Sequence, residues 1–378
     1  MLCVFITCPE GERKQRGSDV SELSTFPGFE LSVPPSNCER EGRDSELAFP
    51  ELVFLQHGLQ WYIPGMRIVS LLPSATEILF ALGLDGEIVG VSHECDFPPQ
   101  AKTKPVVIHS RLPHDASPAE IDRLVSEYVH RGESLYAVDA EVLEKLAPDL
   151  IVTQDLCHVC AASPDDLATA LARFERRPEV LCLNPQDLVD VWRDILWVGE
   201  ESCRGHQAEA LLEKIGTRLG ALEQQLPPSA DRPRVALLEW LQPFYVGGHW
   251  VPEMIHVAGG KDVLGKVRTP SFRVHLQDIV EAEPEILLIA PCGYGAQQAR
   301  IEYLSLDLPE QWNVMPAARN GCVYALEASS YFSRPGPRLV TGIEALAKLF
   351  HPAIEVPREA EAGVLPIHAS AHARAATS

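Results

Sequence analysis

Sulfur, imidazole and aromatic rings are the chemistry-bearing groups of this sequence, and they gather in a few short stretches. The sharpest is Cys157-His158-Val159-Cys160. Thiols two residues apart can meet across one turn, which suits half of a soft-metal site or a redox dithiol at a helix start. Cys95 or His93, within His93-Glu94-Cys95-Asp96, could complete such a metal site. Structural zinc wants about four nitrogen or sulfur ligands, and a second Cys-x-x-Cys is missing. Thiols packed beneath a loop explain the motif equally well, because cysteine is so often interior. A thiol- or metal-dependent enzyme built on Cys157 and Cys160 therefore stands beside a purely structural reading.

His93, His249 and His256 could each coordinate a metal centre carried by a ligand, although a hydrogen-bonded loop histidine is the commoner use. Trp240, Phe244, Tyr245, Trp250, Tyr331 and Phe332 offer stacking surface to a large flat ligand, with packing between two lobes as the competing use. Cys292 and Tyr294 fall in a comparable loop. No catalytic constellation stands out: there is no G-x-S-x-G elbow, Walker A loop or H-E-x-x-H, and Glu94 with Asp96 fits loop capping better than acid and base work.

Most of these residues lie in loops just after predicted strands, with Trp240 ending the strand Val235–Trp240 and His256 in a short helix, Met254–Gly259. Arg67-Ile-Val-Ser-Leu-Leu72 reads as a buried strand followed by the loop Pro73–Glu77 and a helix over Ile78–Gly83. The same order of strand, polar loop and helix recurs to Leu349, which predicts α/β architecture with parallel, doubly wound sheets and ligands beyond the carboxyl ends of the strands. An internal repeat divides the chain. Glu141–Cys157 and Gln277–Cys292 each read helix, proline, acidic residue, strand and loop, and Arg67-Ile-Val-Ser matches Arg234-Val-Ala-Leu. Between the copies, Cys203–Gln225 carries Ala208, Leu211, Leu212, Ile215, Leu219 and Leu222 at helical spacing. That predicts a long helix bridging two lobes, with 66–200 as the first lobe, 201–228 as the bridge and 229–352 as the second. Residues 109–140 read as an insertion holding the helix Ala119–His130. Residues 1–65 read as a flexible extension, with Met66 as an alternative start, and 353–378 as a disordered tail.

Composition narrows the partners. A chain of 378 residues, 46% of them hydrophobic, can bury a sizeable core. Its net charge of −21 repels phosphate backbones, which argues against nucleic acid. No run is apolar and long enough to span a membrane, and the amino terminus lacks a signal pattern, so a cytoplasmic monomer with reduced thiols is expected.

With these residues in view, Arg67 to about Phe350 resembles the cobalamin-binding members of the class III substrate-binding proteins that serve ABC importers. The resemblance rests on Arg67–Glu77, Val89–Pro99, Leu146–Val152, Gly259-Gly260, Ala282–Glu285 and Phe332–Arg338. It implies two Rossmann-like lobes, a rigid interlobe helix and a corrinoid held between the lobes. It would place Pro73, Ser74, Ala75 and His93 on one wall and Pro243, Phe244, Tyr331, Phe332 and Arg334 on the other, with an ABC permease as partner. Lack of an arginine cluster favours a corrinoid over an anionic siderophore. A haem or ferric-siderophore binder and a cytosolic sensor or adaptor are the remaining alternatives.

Overall fold

A computed structural model describes residues 65–367 except 114–115, 117, 132, 155–163 and 229–230. The first lobe runs β1 (Ile68–Ser70), α1 (Pro73–Ala81), β2 (Ile88–Ser92), β3 (Val106–Ser110), α2 (Pro118–Arg131), β4 (Tyr136–Val138), α3 (Ala140–Leu146), β5 (Leu150–Gln154), α4 (Pro164–Leu171) and β6 (Glu179–Leu183). Its sheet has the order β4-β3-β2-β1-β5-β6, parallel except where β4 closes the edge against β3. α5 (Leu188–Glu201) and α6 (Gly205–Glu223) then cross to the second lobe.

The second lobe comprises β7 (Arg234–Leu241), β8 (Phe244–Val246), α7 (Val251–Val257), β9 (Lys261–Asp262), β10 (Phe272–Arg273), α8 (Leu276–Glu281), β11 (Ile286–Ile289), α9 (Ala296–Leu304), α10 (Pro316–Arg319), β12 (Val323–Leu326), α11 (Ala328–Tyr331), α12 (Leu339–Phe350), α13 (Arg358–Glu361) and β13 (Val364–Pro366). Its sheet runs β10-β8-β7-β11-β12-β13, with β9 also on β7. β7, β11 and β12 are parallel, whereas β8, β10 and β13 are antiparallel additions. The expectation of wholly parallel sheets is thus corrected at the edges. A second correction concerns the tail: residues 353–367 form α13 and β13, with Ile367 buried, because β12 would otherwise be left with an open edge.

The internal repeat is visible as matched backbone chemistry. Arg67 N–H donates to Asp149 Oδ2 at 3.0 Å while Asp149 N–H returns a bond to the Arg67 carbonyl at 2.8 Å. Arg234 and Glu285 exchange the same pair of bonds, both at 2.8 Å. In each copy the arginine side chain also caps the carbonyls of the preceding helix, Leu146 and Ala282. Each of these helices gives way to a left-handed residue, Ala147 or Glu283, directly before its proline.

The bridge spans about 28 Å and is tied at both ends. Arg204 reaches Glu87 of the first lobe at 3.2 Å, and Arg218 holds Glu344 of α12 through two bonds of 2.6 and 2.9 Å. α5 and α6 pack so closely that a Cβ on Gly199 would lie 2.5 Å from the Ala208 Cβ. Outer-face clusters serve each sheet separately, but the central one is continuous from Ile68 and Leu79 through Val191, Ile195 and Ile215 to Leu237, Ile255 and Leu346.

Candidate functional site

The carboxyl ends of the first-lobe strands are shaped by α1. Proline at its first position carries the right φ before the helix begins, so Pro73–Glu77 enters the helix instead of forming a loop. Thr76 Oγ1, fully buried, contacts Ser70 Oγ at 2.8 Å and Cys95 Sγ at 3.0 Å, fastening the loop after β2 to the helix. Burial pushes the Cys95 thiol up to about 11, so it stays protonated and is a poor soft-metal ligand. His93 Nδ1 lies 3.0 Å from the Ile108 carbonyl. A carbonyl can only accept, so Nδ1 carries a proton, while Nε2 lies 4.0 Å from the Glu94 carboxylate. Glu94 beside it is exposed.

On the second lobe, the β7–β8 hairpin sorts the predicted aromatics by face. Phe244 stacks on Trp312 at 5.5 Å and joins the outer core, while Trp240 packs edge-on against Tyr294 at 5.9 Å. Tyr245 and Trp250 are buried, and Trp250 Nε1 donates to the Phe332 carbonyl at 2.8 Å. His249 is buried and stacks on Trp250, whereas His256 is exposed beside Arg232. Burial pushes the carboxyl of Glu239, on β7, up to about 7, against the opposing pull of the nearby Ser271 hydroxyl and Gly248 N–H.

Where the two edges meet, charged groups span the gap. Glu77, on α1 and almost wholly buried, receives Arg338 Nε at 2.8 Å and Nη2 at 2.5 Å, with Arg334 Nη1 at 3.3 Å. Arg334 also donates to Asp96 Oδ1 at 2.6 Å and to the Glu94 carbonyl at 3.2 Å. The Arg338 guanidinium lies 3.9 Å from the Phe97 ring centre and 5.7 Å from that of Tyr331. Beside this network Gly336 lies over Ser74, whose carbonyl would be 3.7 Å from a Cβ there. A second set joins Arg268 to Asp187 and Asp190, and the Leu188 N–H donates to Glu253 at 2.8 Å.

The sequence-derived residues therefore divide. Ser74, Ala75, Cys95, Trp240, Tyr245 and Phe332 are covered. Pro73, His93, Pro243, Phe244, Cys292, Tyr294, Tyr331 and Arg334 are partly accessible. Of these, Phe244 and Tyr294 pack on the outer core and Arg334 turns to its carboxylates. Cys157 and Cys160 lie outside the described residues, and among the described residues no group of histidine, cysteine and acidic side chains could hold a metal ion. Glu77, Arg338, Asp187, Arg268 and Glu253 were not foreseen. The signal for the first was present as an acidic residue inside the apolar run Ile68–Leu84.

Comparison with known proteins places the fold. The family profile described as periplasmic binding protein matches residues 68–329. A vitamin B12-binding protein of Photorhabdus laumondii is 22% identical over 288 residues, 76% of this chain and 88% of that protein. A periplasmic heme-binding protein of Roseiflexus in apo form superposes with a TM-score of 0.57 at 22% identity, covering 76% of this chain and 99% of that one. The periplasmic vitamin B12 binding protein of Vibrio cholerae gives 0.52 at 21% identity, covering 77% and 98%. These matches overturn the expectation of a cytoplasmic protein, which had rested only on the lack of a recognisable leader. They also set the enzyme reading aside, for this is a family of binding proteins. With the profile match spanning most of both lobes, the chain belongs to the periplasmic binding protein family.

Proposed function

We propose that the chain binds a corrinoid between its lobes and hands it to an ABC importer. The observation that carries this reading is the likeness to vitamin B12-binding proteins along 88% of the Photorhabdus protein's length, which takes in both lobes and the bridge. The accessible rings Phe97 and Tyr331, on either side of Arg338, supply surface for a planar macrocycle, and Tyr294 is a further contact we assign. Pro73, His93, Pro243 and Cys292 are the other contacts we assign. A bridge anchored in both lobes fits uptake with little hinge motion.

Calorimetric titration with cyanocobalamin, beside haem and a ferric siderophore, tests the assignment. Heat with cobalamin alone, or tightest with it, is the expected result, and silence with all three ends the reading. Haem is the second reading. His93, part-exposed with Nδ1 against the Ile108 carbonyl and Nε2 4.0 Å from the Glu94 carboxylate, is the observation in its favour. A shift of the haem absorption band that vanishes in His93→Ala would establish it.

A further inference from the structure

We propose that Glu77 determines ligand specificity: by holding Arg334 and Arg338 of the opposite lobe, with Asp96 sharing Arg334, it leaves neither guanidinium uncommitted, so the site takes an amide-bearing tetrapyrrole and discriminates against one carrying carboxylates. The inference deepens the corrinoid reading and rests on it.

Two arginines do converge on the rim, contrary to what the sequence indicates, but each is already committed. Glu77 and Asp96 set two negative charges against two positive ones. The cluster is therefore neutral in a chain whose net charge is −21. Glu77 is only 4% exposed and is engaged through both carboxylate oxygens, so an incoming carboxylate would have to displace an oriented, desolvated anion from its partners. Amides make no such demand, because they bring no net charge that needs a counter-cation when it leaves water. The guanidinium of Arg338 is held between Phe97, 42% exposed, and Tyr331, so the face offered to a ligand is aromatic and electrically quiet.

The test is titration of the full chain with cyanocobalamin and with protoporphyrin IX, at low and high salt. Protoporphyrin IX bears two propionates and no metal, so axial ligation by His93 does not enter. The unaltered chain is expected to favour cyanocobalamin. Glu77→Gln removes the carboxylate that holds Arg338 while Arg334 keeps Asp96, so it uncovers one positive charge and is expected to raise protoporphyrin affinity about tenfold in a salt-sensitive manner, with cyanocobalamin changed far less. Asp96→Asn, at a side chain 49% exposed, removes one of the two carboxylates shared by Arg334 and should give a smaller gain of the same sign. A merely structural Glu77 would lose both ligands in parallel and leave Asp96→Asn without a gain, which overturns the proposal. So does an unaltered chain that prefers protoporphyrin. If neither compound binds the unaltered chain, the corrinoid reading itself fails. If cyanocobalamin binds and both variants leave the ratio untouched, only the role given to Glu77 fails.

Discussion

Single side chains show how burial reshapes acidity here. Asp194, 3% exposed on α5, has its carboxyl pushed up to about 8, first by burial and then by the nearby Asp190, with Arg193 opposing. Unfolded, the same carboxyl titrates near 4. Between those values the folded chain keeps a proton that the unfolded chain has released, so stability falls as pH rises through that window. Glu239 adds to the slope up to about 7. Melting curves at pH 5 and pH 8.5 should therefore show the protein less stable at the higher value. Asp194→Asn should narrow the difference and raise the melting temperature at pH 8.5 by several degrees; an unaltered slope would assign the dependence elsewhere. Neither group was legible beforehand, because a carboxyl on a helix or a strand reveals its burial only once the neighbouring elements are in place. Glu77 escaped notice for a related reason: its partner Arg334 is 257 positions away, and pairing across such a distance has no local periodicity.

Elements were easier to read where their pattern is local. The bridge was expected over Cys203–Gln225 and forms over Gly205–Glu223, and the insertion helix, expected over Ala119–His130, forms over Pro118–Arg131. Hairpin register was not local, and it decides that Phe244 faces Trp312. β13 was missed because Val364-Leu365-Pro366 is too short to announce itself and becomes a strand only against β12. Ending the chain at Ala362 removes that strand and the buried Ile367. A loss of about 3 kcal/mol follows from the apolar burial and edge pairing, or roughly 5–10 °C in melting temperature. Gly199 offers the opposite kind of test. Alanine improves helix propensity by about 1 kcal/mol, yet its methyl would press on Ala208 at 2.5 Å and on the Arg204 carbonyl at 3.2 Å. Overpacking of about 1–3 kcal/mol outweighs the gain, so Gly199→Ala should melt lower than the parent, whereas Gly216→Ala, with open space around it, should not.

At the scale of the whole molecule, the duplicated arginine–carboxylate staples at Arg67–Asp149 and Arg234–Glu285 made the two-lobed plan legible, since the same residue types recur in the same order. The way the lobes are fused was not legible, because apolar positions on α1, α5, α6, α7 and α12 look alike whether they serve one core or two. Scattering should register this fusion as a radius of gyration that changes by no more than about 1 Å when ligand is added, in contrast to a hinged receptor. The continuous apolar seam carries a further consequence for how the protein comes apart. Heating should yield one sharp calorimetric peak whose two enthalpies agree, since neither half can melt while leaving the other's interior dry. Cutting the chain at its waist would bare the seam on both pieces, so the smallest portion able to live alone is the entire body.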